Sequence, residues 1–385
     1  MGAFMDDSTP SVASGGHEVS PAWQRLLRAH ADGEGWLPFD GFMAQALYAP
    51  GMGYYSRGLP VLGQSAGDGS DFVTAPELSP AFAMTLAHQV AQWLQATGVQ
   101  RVVEFGAGSG ALAEGLLRAL DLLDVGLASG KLQRYEVVEV SASMRQQQQR
   151  RLAKWGQAVQ WLDAWPATLE AVVLGNEVLD AMPVKLLQRV DGVWHELGVS
   201  CRGAALAWQT RPTELRPPVP VAGAHDYRTE LPLQAVAWTR ELAQRLQRGV
   251  VLLVDYGFAQ AEFYHPQRHG GTVMCHRAHR ADDDPLRDVG SKDITAHVDF
   301  TAVALAAQEA GQEVVGYTSQ GRFLLNCGLL DVAQTLPLAQ RGRALALVHE
   351  HEMGELFKVL AFAPAAHQLV WQSMGFAQGD RSHTL

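Results

Sequence analysis

Cysteine is scarce: Cys201, Cys275 and Cys327 are the three in 385 residues, far apart and in no Cys-x-x-Cys pair. That spacing excludes a disulfide framework and a structural zinc knuckle, and it suits a reducing compartment. Basic charge is also short, with 30 Lys+Arg against 40 Asp+Glu and a net charge of −10. No local patch reverses the sign, so nucleic-acid binding has no electrostatic basis. No apolar run approaches the roughly 20 residues of a bilayer span, which excludes membrane insertion. Fold-level repeats are missing too. Residues 1–20 carry no arginine and no apolar stretch of signal-peptide length, so they read as a loose tail rather than a presequence.

What is present is ordinary globular composition, with 47% hydrophobic and 18% charged residues, and enough chain for one large α/β domain carrying an insertion. Ser79-Pro80 predicts a helix start, with Phe82, Leu86, Val90, Trp93 and Leu94 on one buried face. From Val99 onward, short apolar runs alternate with helical stretches: 101–105, 135–140, 158–162, 171–174 and 250–254. Such runs suit strands buried on both faces of a mostly parallel sheet, so the fold class is α/β. Between the fourth and fifth runs, 185–247 reads as a β-meander turning at Gly192 and Gly203, followed by a helix from about Pro232. Gly257–Ile294 reads as a long polar loop. Asp299 reads as a helix N-cap, and two late strands near 313–317 and 357–360 are expected to end the sheet like a hairpin. The glutamine run Gln146–Gln149 is expected on an exposed helix face.

The strongest local signal is Glu104-Phe105-Gly106-Ala107-Gly108-Ser109-Gly110, where a strand ends and a helix begins. Glycines there let the backbone turn tightly and approach a nucleotide-like ligand at the helix amides, although a purely structural tight turn reads the same way. The spacing is not the dinucleotide G-x-G-x-x-G, and Glu104 would repel a pyrophosphate while suiting a cationic amino-acid moiety. Glu139, ending the next strand, can accept both hydroxyls of a ribose; the alternative is a solvated strand-end acid. His265, His269, Cys275, His276 and His279 match no metal-ligand interval, so a covering loop is expected and no metal.

These residues resemble the first two motifs of class I S-adenosylmethionine-dependent methyltransferases. Gly53-Tyr54-Tyr55, Gly69–Glu77, Gly175-Asn176-Glu177-Val178-Leu179-Asp180-Ala181-Met182-Pro183, Asp255-Tyr256-Gly257, Asp293–Phe300 and Met353–Lys358 resemble the successive signatures of the MidA family. Its mitochondrial members are complex I assembly arginine methyltransferases. The likeness runs from about Phe39 to Phe362, with Gly175 where alanine is usual and Val178-Leu179 in place of an aromatic pair.

The resemblance implies a Rossmann-like core over 99–184 and 249–362, an N-terminal helical and lid segment over 21–98, an inserted α+β subdomain over 185–248 and a C-terminal tail over 363–385. It implies S-adenosyl-L-methionine as cofactor, held by Glu104, Gly106, Gly108, Gly110 and Glu139 together with Asn176, Thr74, Pro76 and Glu77. The expected activity is methylation of an arginine on a protein client, with Glu177, Asn176, Asp180 and Asp255 as catalytic residues. Glu177 can hold a guanidinium bidentately and localise its charge; as a structural alternative it caps orphan helix amides. A non-catalytic assembly chaperone and an NAD-dependent oxidoreductase on the same fold are the rival readings. A bacterial cytoplasmic location is expected, with the mitochondrial matrix as alternative, and a homodimer stays open.

Overall fold

The computed structural model describes residues 17–57, 73–202, 205–364 and 373–385. The expected tail up to residue 16, residues 69–72 of one signature and the turn at 203 lie outside these. The central sheet contains β1 Arg101–Phe105, β2 Arg134–Val138, β3 Val159–Leu162, β4 Leu169–Asn176, β5 Leu246–Phe258, β6 Gln312–Ser319 and β7 Phe357–Pro364. Their spatial order is β6-β7-β5-β4-β1-β2-β3. Strands β1 to β5 pair in parallel, and β7 lies antiparallel between β5 and β6. The late strands are therefore neighbours, but three helices over 320–346 separate them in the chain, so they form no hairpin.

Among the helices that cover this sheet are α1 Pro80–Thr97, α2 Ala111–Leu122, α3 Ala142–Leu152, α4 Leu233–Arg245 and α5 Phe300–Glu309. Helix α1 begins where the sequence puts it, the Ser79 hydroxyl accepting from the Ala81 amide at 3.3 Å, and it stops at Gly98 in the left-handed region. Its apolar face, Phe82, Leu86, Val90, Trp93 and Leu94, packs with Val102, Val172 and Leu252 of the sheet and with Leu116 and Leu120 of α2. The alternate strand residues Val103, Val173, Val251 and Leu253 point the other way, onto Leu242 of α4 and Phe300 and Val303 of α5. Strands buried on both faces explain the uninterrupted apolar runs, since each such side chain removed from water contributes roughly 1.5–3 kcal/mol.

The meander Lys185–Val190, Val193–Ser200, Ala205–Pro212 and Tyr227–Leu231 forms a second, antiparallel sheet. It is not self-contained: His17–Glu18 and Trp36–Pro38 from the N-terminal segment add strands to it. Helix Phe39–Tyr48 buries Phe39, Phe42, Met43 and Leu47 against Leu186, Leu197 and Val199 of that sheet. The segment ahead of the core and the insertion thus make one layer, and α4, although next to the meander in sequence, packs with the core.

Gly257–Ile294 is more ordered than a polar loop. Met274–Arg277, Arg280–Asp282 and Asp293–Thr295 pair into a small sheet. The end of the chain also folds back: Phe376 is buried beside Phe323, and Asp380 accepts from the Tyr317 amide at 2.9 Å.

Candidate active site

The carboxyl ends of β1, β2, β4 and β5 come level with one another, because Phe105 pairs with Val138 and Gly175, and Asn176 with Val254. In an open parallel sheet this rim is where ligands sit. A cavity of about 510 Å³ opens there, between the rim and the N-terminal layer.

After β1 the chain turns through Gly106, Gly108 and Gly110 at φ +61°, +53° and +83°. Side chains would strain all three positions. Gly106 and Gly108 line the cavity; Gly110 does not, being the N-cap of α2 and packed against Gln148 and Arg151. Glu104 reaches the cavity but is buried and accepts from the Tyr135 hydroxyl at 2.6 Å; burial pushes its carboxyl up to about 7.

Glu139 lies at the cavity edge, its two oxygens accepting from the Ser141 amide and the Gln148 side chain, both at 2.8 Å. Each oxygen keeps a lone pair for a further donor, which fits a pair of ribose hydroxyls. Gln146, Gln147 and Gln149 are exposed as expected, and Gln148 is the exception in the run. It is fully buried, and it also donates to the Gly108 carbonyl at 2.9 Å and accepts from the Trp161 indole at 2.9 Å. It therefore fixes the glycine turn to the Glu139 carboxylate. Phe105, Trp165 and Trp238, mutually edge-on at centroid distances of 4.9–5.5 Å, form an aromatic wall of the same cavity.

Thr74 and Pro76 line the cavity from the N-terminal side, whereas Glu77 does not. Glu77 takes the Ser109 hydroxyl and the Arg151 guanidinium, so it ties its own segment to the glycine turn. Asn176 donates to Glu177 at 2.8 Å and leaves its Oδ1 buried without a partner among the described residues. An orphaned acceptor facing a cavity is what a hydrogen-bonding ligand would satisfy. With the glycine turn and Glu139, it makes these residues compatible with S-adenosyl-L-methionine.

At the other end of the cavity stand Glu177, Asp180 and Asp293. Glu177 holds a φ of +54°, a conformation that costs a non-glycine residue energy. Burial and the neighbouring Asp180 push its carboxyl up to about 8. Asp180 is driven well above the ordinary range by burial, then by Asp255 and Asp293. Asp255 itself is absent from the cavity wall, contrary to expectation. One of its oxygens accepts from the amides of Val178, Leu179 and Asp180 at 3.1, 2.8 and 3.3 Å, so it holds the turn that presents the other two acids.

Three residues outside the expected set complete this end. Tyr48 donates to the Ala181 carbonyl at 2.8 Å, Tyr55 donates to Asp293 at 3.0 Å, and the two rings stack at 5.6 Å and 18°. Tyr55 and Asp293 fall within quoted signatures, but only packing over more than two hundred residues unites them. The Cys275 thiol is buried in the small sheet and pushed up to about 12, far from any thiolate role. Among the described residues no group of three or more His, Cys, Asp or Glu could hold a metal ion, and no helix is long and apolar enough to cross a membrane.

A family model described as S-adenosyl-L-methionine-dependent methyltransferase matches residues 85–318. The Drosophila melanogaster protein arginine methyltransferase NDUFAF7 homolog, mitochondrial, is 29% identical, over 96% of this chain and 91% of its own. The human protein arginine methyltransferase NDUFAF7, mitochondrial, is 27% identical, over 84% of this chain and 79% of its own. A Burkholderia thailandensis protein, solved with S-adenosyl-homocysteine bound, is 45% identical, with a TM-score of 0.87 over 94% of this chain and 96% of that one.

Proposed function

Because this chain belongs to the S-adenosyl-L-methionine-dependent methyltransferase family, we propose that it methylates an arginine side chain of a protein client at Glu177, Asp180 and Asp293. The observation that carries this is a set of buried carboxylates at one end of the cavity, in which Glu177 and Asp180 form no ion pair among the described residues. Such a cluster is costly by itself and is relieved by one entering cation. The names of the fly and human relatives support the choice of a protein arginine. Family membership leaves the dinucleotide reading without support.

Glu104, Gly106, Gly108, Glu139, Asn176, Thr74 and Pro76 would hold the cofactor. When bound, S-adenosyl-L-methionine supplies a methyl group on a positively charged sulfur. Glu177 and Asp180 draw the guanidinium charge to their side, which leaves one nitrogen more nucleophilic and oriented for displacement. The same raised proton affinity that makes Glu177 neutral without a cation suits it to take the proton that the methylated nitrogen gives up. Asn176 fixes the Glu177 carboxyl from one side, and Asp255 fixes its turn from below. A lysine would have to lose its proton first, and a cluster of acids opposes that. The buried free thiols of Cys201, Cys275 and Cys327 suit a reducing compartment, and a bacterial cytoplasm is the location we favour.

Purified protein with methyl-labelled cofactor should label a protein in an extract of cells that lack it, and mass spectrometry should find methylarginine. Label on lysine, on a carboxyl group or on a small molecule would sink the arginine reading. Cofactor binding without any transfer would favour the chaperone.

A further inference from the structure

Apart from the Asn176–Glu177 neighbours at the end of β4, the two ends of the cavity are bridged through Tyr55. Ser141 caps α3 two residues after Glu139, its amide donating to the Glu139 carboxylate and its hydroxyl donating to the Tyr55 carbonyl at 2.6 Å. The Tyr55 hydroxyl then donates to Asp293 Oδ2 at 3.0 Å, and Asp293 Oδ1 accepts from the Ile294 amide at 3.0 Å. The Tyr55 ring is wedged against Tyr48 and, edge-on, against Tyr54 at 5.1 Å, so it cannot swing without disturbing that stack.

We propose that Tyr55 is a positioning residue that couples the cofactor half of the site to the acceptor half, through Ser141 on one side and Asp293 on the other. Ligand hydroxyls that engage Glu139 steady the Ser141 amide bonded to the same carboxylate. Ser141 steadies the Tyr55 backbone, and the phenol then holds the Asp293 carboxylate in the orientation in which it faces Glu177 and Asp180. Each link of this chain is already formed, so filling the cofactor end steadies an acceptor end that is in place rather than building it. The proposal rests on the acceptor reading above in taking Asp293 as part of the acceptor end.

Hydrogen exchange with S-adenosyl-homocysteine as the probe tests it without a client. In the wild type the ligand should slow exchange at Ser141–Met144 and also at Ile294, the latter by at least about tenfold, a usual size for coupling between sites. Tyr55→Phe keeps the ring and the Ser141 bond but removes the hydroxyl. It should retain the protection at 141–144, bind the probe within about twofold of wild type, and lose the protection at Ile294. Ser141→Ala should lose it as well, and Ser141→Thr, which keeps the hydroxyl, should restore it. Equal protection of Ile294 in wild type and Tyr55→Phe would overturn the coupling. So would no protection there in the wild type, or a parallel loss of probe affinity in Tyr55→Phe. A transfer assay that labels something other than arginine would remove the arginine reading and leave this exchange pattern untouched.

Discussion

Glu177→Gln should make the protein more stable and less active at once. The carboxyl rises from an ordinary 4.5 to about 8 on folding, through burial and the proximity of Asp180. An acid raised in this way favours the folded state fully below pH 4.5, and that contribution is lost as pH rises through about 8. At 1.36 kcal/mol per pH unit, ionising this group costs the fold on the order of 5 kcal/mol above pH 9. Glutamine keeps the shape and the Asn176 contact, and removes that cost. Urea unfolding of the cofactor-free protein at pH 5 and pH 9 should therefore show the wild type losing stability over this interval and the variant losing markedly less. The same substitution removes the charge that holds the acceptor. Single-turnover methyl transfer should fall at least about tenfold, roughly 1.4 kcal/mol of transition-state stabilisation, with cofactor affinity little changed. The pH profile of kcat/KM should rise through a midpoint near pH 8 in the wild type and flatten in the variant. If Glu177→Gln transfers at the wild-type rate, or unfolds with the same pH dependence, the carboxylate is not the group that meets the cation.

Gly108→Val should abolish binding of S-adenosyl-homocysteine while the far-ultraviolet dichroism stays close to wild type, because a β-branched residue opposes the φ of +53° and fills the ligand's side of the turn; unchanged affinity by calorimetry would refute this. Glu139→Ala should weaken the same ligand by about 1–3 kcal/mol, the usual cost of deleting a charged partner, and equal affinity would put the ribose elsewhere. Asp255→Ala should destabilise the protein by about 1–3 kcal/mol in urea, since it strands the buried amides of 178–180, and no loss of stability would deny it that capping role.

Much of this fold is legible from local chemistry. The Ser79-Pro80 start, the Gly98 stop and the five apolar runs are each decided within a few residues, and the helix and strands form there. The glycine turn and Glu139 are readable for the same reason, since a strand end fixes where they emerge. Asp255 shows the limit. Its position on the rim follows from the strand, but the amides at 178–180 compete for its side chain and win it. Gln148 is hidden by its neighbours: one glutamine in a run of four faces inward because the helix phase puts it opposite Gly108. Tyr48, Tyr55 and Asp293 come together only because Trp36–Pro38 joins the inserted sheet and carries the following helix over the rim. The small sheet at 274–295 is not legible in the sequence, because strands of three or four residues, rich in Arg, His and Asp, carry no alternation to read. The fold-back of 373–385 rests on contacts distant in sequence, Phe376 against Gly316 of β6 and Asp380 with the Tyr317 amide.

Proton release on guanidinium binding tests the central claim most directly. With S-adenosyl-homocysteine bound, methylguanidine is titrated at pH 7 by calorimetry in two buffers of different ionisation enthalpy. A carboxyl at about 8 is mostly protonated at that pH, so a cation that ionises it must expel close to one proton for each molecule bound. Release of about one proton in the wild type, absent in Glu177→Gln, is the expected result; binding with no proton release, or no binding by either protein, would contradict the account.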